Sequence, residues 1–314
     1  MDDNKKRYWP VKKFLQLIIQ IAVLGYIIYY LYSRREELVR LWEVSLLDAF
    51  FVLVLIFVGN IIRSYQLCYI ISRLDSKITV AESFLITTGT TLLNYLPFNA
   101  GTIVKARVLK KHRSLKYAHF ISTMGATIFI TIFAGGVLGL ISMLISMPRF
   151  NTSNIILLAF FAISIILPII VLYIPASIIS DRSGWTRTAI KDLLLGLEQI
   201  RKNYRSVVVL FLLATVLLLT IALRLWVCFR ALDTSVTLIG CVMFAVVSNL
   251  LLIINITPGS LGLREIIIGA IASFTGLNFE RGLFAASLDR VFSLLFAVVV
   301  GLPGLAVLKR KKLL

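Results

Sequence analysis

Apolar residues gather along this chain in long blocks separated by short polar loops, most of them basic. Six blocks run without a break, at about 14–32, 47–70, 117–147, 154–174, 206–230 and 283–308. Each is long enough for the roughly 20 helical residues that cross a hydrocarbon core. Two more apolar regions, 84–100 and 236–276, are interrupted. The first contains Asn94-Tyr95-Leu96-Pro97-Phe98-Asn99-Ala100-Gly101 and the second Asn255-Ile256-Thr257-Pro258-Gly259-Ser260-Leu261-Gly262. Both place Pro four residues before Gly, and both run on into cations, Lys105 and Arg107 after the first, Arg264 after the second. Backbone that leaves a helix cannot face lipid, because each unpaired N–H or C=O there costs several kcal/mol. The interruptions therefore predict broken or re-entrant helical elements enclosed by protein. The expected fold is an all-α integral membrane protein with about six full spans and two broken elements, in one polytopic domain over 1–314.

The two breaks divide the chain into comparable halves. A first repeat core is expected over 84–147 and a second over 236–308, each a break followed by an apolar stretch. Three full blocks lie between the breaks, and an odd number of crossings turns the second copy upside down. Paired breaks in an inverted repeat point to a binding site near the midplane where the copies meet.

Composition agrees with a membrane protein. The chain is 59% apolar with a mean hydropathy of +0.93, against roughly 45–50% apolar usage in soluble domains. The first block follows the basic N-terminus 1–13 without a small-residue cleavage site behind it, so it reads as an uncleaved span. The net charge of +18 is spread through loops beside apolar blocks and does not form a nucleic-acid surface. With the N-terminus inside, 23 of the 33 Lys and Arg fall in cytoplasmic segments and six in outer ones. That asymmetry predicts two cytoplasmic termini for an inner-membrane protein, with 309–314 as an inside tail. The loop 175–205 carries Ile190, Leu193, Leu194 and Leu197 at helical spacing and predicts an amphipathic surface helix. At about 30 residues it is the longest soluble stretch, too short for a second catalytic domain.

The remaining four cations, Arg63, Arg224, Arg264 and Arg290, lie within apolar sequence. Buried charge in a bilayer normally faces a cavity or a countercharge. Glu265 and Asp289 are the natural partners of Arg264 and Arg290, and the four read either as an ion-paired lock or gate between the second break and the last span or as a ligand site. Arg63 and Arg224 have no acidic neighbour within their own spans, which makes them the better candidates to meet an anionic group. For Arg224, near Trp226 and the end of its span, snorkelling to the outer interface is the competing reading. Lys105, Arg107, Lys110, Lys111, His112, Arg113 and Lys116 form a basic run after the first break, read either as a leaflet anchor or as a funnel for anionic headgroups.

Other chemistries find no support. His112 and His119 are the only histidines, there is no metal-ligand spacing, and no phosphate-binding G-x-x-x-x-G-K-[ST] loop occurs. Ser260 has no histidine partner, and Cys68, Cys228 and Cys241 sit in apolar blocks as packing thiols. No catalytic residue, cofactor or metal is expected.

The broken segments also resemble a known family. Leu96-Pro97-Phe98-Asn99-Ala100-Gly101-Thr102-Ile103-Val104-Lys105 resembles the Leu-Pro-x-x-x-Gly-x-x-x-Arg motif of the lysylphosphatidylglycerol synthase transmembrane-region family. Pro258-Gly259-Ser260-Leu261-Gly262-Leu263-Arg264-Glu265 is similar to its second motif, and Asp289-Arg290 to the acidic-Arg pair on its last long helix. The resemblance spans about 10–310 and implies a helical membrane protein with re-entrant elements and a lipid-translocating role. Some members flip aminoacylated phosphatidylglycerol made by a separate soluble synthase domain, and this chain is expected to be a stand-alone member without it. Others are linked to glycolipid or polyprenol-linked sugar pathways. The chain departs from the family at Asn99 and Thr102, where Arg and Glu are common, and at Thr127 and Ile128, where an acidic-Arg pair is found. These departures leave the substrate open.

The resulting expectation is a flippase for an anionic phospholipid or a lipid-linked sugar. Headgroups would meet Arg63, Lys105, Arg107, Arg224 and Arg264; Glu265, Asp289 and Arg290 would form the gate; Asn94, Pro97, Gly101, Pro258, Gly259 and Gly262 would make the breaks. The alternatives are a glycosyl- or aminoacyl-lipid transferase that uses Glu265 or Asp289, and an accessory subunit that scaffolds a separate synthase or glycosyltransferase.

Overall fold

The computed structural model describes residues 44–73, 78–95, 100–113, 117–146, 152–174, 194, 198, 203–251 and 262–311. The described residues form nine helices and no strand. In chain order they are α1 (Leu46–Ser72), α2 (Val80–Leu93), α3 (Ala100–Arg113), α4 (Tyr117–Ser146), α5 (Thr152–Tyr173), α6 (Tyr204–Ala231), α7 (Leu238–Leu251), α8 (Leu263–Phe274) and α9 (Phe279–Arg310). Five of them, α1, α4, α5, α6 and α9, have the length and apolarity of membrane spans. The sixth expected span, at 14–32, lies outside the described residues. So does the expected surface helix, except for Leu194 and Glu198; Leu194 is buried against Ala126.

The helix starts follow local sequence. Ser45 caps α1 by accepting the Leu47 N–H at 3.2 Å. Thr79 opens α2 with a capping box, its hydroxyl accepting from the Glu82 N–H while the Glu82 carboxylate accepts from the Thr79 N–H. These exchanges satisfy amides that a helix start leaves bare. Asn203 does the same for α6 through the Ser206 N–H.

The element order repeats. A 14-residue helix, a break, a second short helix and a helix of 30 or more residues make up α2–α3–α4, and α7–α8–α9 follows the same series. Packing between the halves is reciprocal: α2 lies chiefly along α9, and α7 lies along both α4 and α6. Helices α1 and α6 pack on each other. Tyr69 near the end of α1 bonds Ser206 at the start of α6 at 3.3 Å, and Arg230 at the end of α6 pairs with Asp48 at the start of α1. Contacts at both ends make that pair antiparallel.

Small residues hold the halves together. A Cβ on Gly89 of α2 would meet backbone atoms of Gly304 and Leu305 of α9 at 3.3 and 3.2 Å. Lipid supplies no hydrophobic drive between helices, so close backbone approach of this kind carries the association. The same device seats Gly282 of α9 against Gly269 of α8.

Candidate functional site

Two local devices shape the described edges of the breaks. Asn94 caps the end of α2, and α3 begins at Ala100. A Cβ at Gly101 would collide with the Thr90 carbonyl oxygen and the Asn94 side chain, so only glycine lets α3 start this close to the end of α2. At the other break Gly262 precedes α8 with φ of 80°, in the left-handed region that side chains resist. Pro97, Pro258 and Gly259 lie outside the described residues.

Arg264 and Glu265 follow Gly262 directly and occupy the first turn of α8. They face Asp289 and Arg290, likewise adjacent, on α9. The two dipeptides cross-pair. Arg264 Nη1 lies 2.7 Å from Asp289 Oδ2, and Arg290 Nε donates to Glu265 Oε1 at 3.2 Å. Both carboxylates are fully buried.

Arg224 joins this cluster from α6. Its Nε and Nη2 donate to Asp289 Oδ1 and Oδ2 at 2.7 and 2.9 Å, a bidentate contact. The absence of an acidic neighbour in its own span therefore misled the sequence reading, because the partner arrives from a helix 65 positions away. Arg224 is buried, with no snorkelling geometry. Asp289 thus serves two guanidiniums.

These groups surround a cavity of about 190 Å³ lined by Arg63, Arg224, Arg264 and Arg290 among others. Both breaks reach it. Tyr95, just past α2, lies on its wall, with the Arg290 guanidinium 6.0 Å above its ring centre. Ser248 and Asn249, near the end of α7, lie on the wall too. Arg63, from the middle of α1, is half-buried and makes no hydrogen bond or ion pair among the described residues. Four arginines against Asp289 and Glu265 leave a surplus of two positive charges in the described cluster.

Of the other expected headgroup contacts, Lys105 lies off the cavity wall, though near enough for Arg63 to act on it. Lys105 is carried by α3, which is not one of the apolar spans. Burial and the Arg63 charge push its pKa down to about 8. Arg107 is exposed and lies off the cavity wall. Sequence reasoning passed over Asn60, Thr88 and Ser293, which also line the cavity. For Asn60 a signal existed: it is polar, inside an apolar helix, three residues before Arg63.

The architecture defines a multi-pass helical membrane protein with a cationic cavity where two broken helices meet. The sequence profile described as the lysylphosphatidylglycerol synthase TM region matches residues 17–301, and the chain belongs to that family. No curated protein and no solved structure matches the chain.

Proposed function

We propose that this protein moves an anionic lipid headgroup, of a phospholipid or a lipid-linked sugar, across the cytoplasmic membrane through this cavity. The observation that carries the reading is the surplus of positive charge on the cavity wall, with Arg63 uncommitted among the described residues. A partly buried arginine favours an oxyanion, which it can grip with two parallel hydrogen bonds. Family membership supports a lipid-related role in the membrane. Three candidate spans, α4, α5 and α6, separate the two broken elements, and that odd number supports an inverted second half. Loop charge supports cytoplasmic termini. Rocking of one half against the other opens the cavity to each side in turn while the lipid tails remain in the bilayer.

The lipid-transferase alternative needs a carboxylate on the cavity wall. Glu265 and Asp289 are ion-paired, fully buried and absent from that wall, which favours transport. The test is headgroup accessibility in proteoliposomes containing labelled anionic phospholipids or polyprenyl phosphate sugars. Protein-dependent translocation of one of them is expected. Rates equal to those of empty vesicles for every lipid tried would overturn the proposal.

A further inference from the structure

Asn60 and Arg63 lie three residues apart on α1, a spacing that puts two side chains on one helix face, and both line the cavity. Asn60 Nδ2 donates to the Ile56 carbonyl at 2.9 Å. That bond fixes the orientation of the amide. Its Oδ1 is then the atom left over, buried and without a partner among the described residues, on a residue only 5% exposed. A buried acceptor left unpaired is costly, so its presence beside a cavity points to a donor that arrives with the ligand.

The wall hydroxyls fit the same pattern. Thr88 Oγ1 donates to the Phe84 main-chain carbonyl at 2.7 Å, Thr91 Oγ1 to that of Thr87 at 2.7 Å, and Ser293 Oγ to that of Asp289 at 2.8 Å. Each proton is committed to the residue's own helix, so the oxygen can only accept from a further partner. The wall therefore presents cationic donors at the arginines and acceptors at Asn60, Thr88, Thr91 and Ser293.

We propose that the cavity selects anionic headgroups that also carry hydrogen-bond donors, a polyol or sugar phosphate, with Arg63 holding the phosphate and Asn60 Oδ1 accepting from a hydroxyl. This rests on the reading of the cavity as a headgroup site, and names Asn60 as its specificity-determining residue. A phosphate ester of equal charge without hydroxyls leaves the acceptors unpaired and binds less well. The volume of about 190 Å³ suits a compact polyol phosphate.

The test uses the full chain and two soluble probes of nearly equal size and charge, glycerol 3-phosphate and propyl phosphate, measured by calorimetry in detergent. Glycerol 3-phosphate should bind about tenfold more tightly, as the loss of a hydrogen bond to a buried acceptor predicts. Asn60→Leu should bring the two affinities together by weakening glycerol 3-phosphate alone, and Arg63→Gln should weaken both. Equal affinities in the unaltered chain, or an unchanged ratio in a folded Asn60→Leu variant, overturn the selectivity. Should that variant not fold, the ratio in the unaltered chain decides. Repeating the titration in phosphatidylcholine vesicles with and without phosphatidylglycerol separates the sources. Competition by phosphatidylglycerol is expected, and its absence overturns a lipid origin for the headgroup. No binding of either probe overturns the headgroup site itself. Binding of the expected kind without translocation in vesicles overturns the transport proposal and leaves the selectivity standing.

Discussion

Asp289 holds two guanidiniums from two different helices, and its removal should be felt by both. Asp289→Asn leaves Arg224 and Arg264 buried against each other, and breaking buried ion pairs typically costs about 3–5 kcal/mol. A large fall in the melting temperature of the detergent-solubilised protein is expected. Arg224→Ala should cost less, because Arg264 still satisfies one oxygen of Asp289. At Lys105 the prediction is one of pH. With a pKa of about 8, Lys105 is mostly charged at neutral pH and loses its charge above that value. Phosphate-ester binding should therefore weaken as pH rises through about 8, and Lys105→Arg should flatten the profile in the same calorimetric titration. The contribution of Lys105 to stability runs the other way. Between about 8 and 10.5 the unfolded chain holds the proton more tightly, so this contribution grows as pH rises. The charged residues themselves were legible from sequence as ionisable groups inside apolar blocks. The pairing of Arg224 was not, because a contact between α6 and α9 leaves no local trace. Nor was the part proposed for Asn60, since an amide in a span resembles an ordinary packing residue until its oxygen is found without a partner among the described residues.

At the scale of elements, the two glycines that look equivalent in the matched breaks solve different problems. Gly101 allows a close approach of backbones, whereas Gly262 allows a left-handed turn. Gly262→Ala should cost about 1–2 kcal/mol, the strain of one residue held at positive φ. Gly101→Ala must push α3 away from the end of α2, and it should lower the melting temperature by more than Gly262→Ala. An equal or smaller loss would show that α3 is not seated as described. The sequence announced that both segments break, because Pro and Gly interrupt apolar runs. It could not announce which atom each glycine avoids, since that depends on where the neighbouring helix end lies. The small-residue crossing of α2 and α9 was hidden for the same reason: Gly89 and Gly304 are more than two hundred positions apart and acquire meaning only when packed.

At the scale of the molecule, hydropathy carried most of the architecture, because a bilayer enforces helix length more strictly than water does. The orientation of the halves is open to direct measurement. In a Cys68→Ala background, Arg107→Cys should react with a membrane-impermeant thiol reagent from the cytoplasmic side and Arg281→Cys from the opposite side, both positions being exposed. Reaction of both from one side would overturn the inverted arrangement.

The reciprocal seating of α2 on α9 has a consequence for synthesis. The partner of α2 begins at Phe279, about 190 residues after α2 ends. At roughly 5–20 residues per second, a newly inserted α2 waits on the order of 10–40 s for the surface it will lie against. During that interval Gly89 and its neighbours face lipid or a helper protein. Termination anywhere before α9 leaves the first half without its cover, so chains truncated at that point should be degraded while full-length chains persist in a pulse-chase experiment.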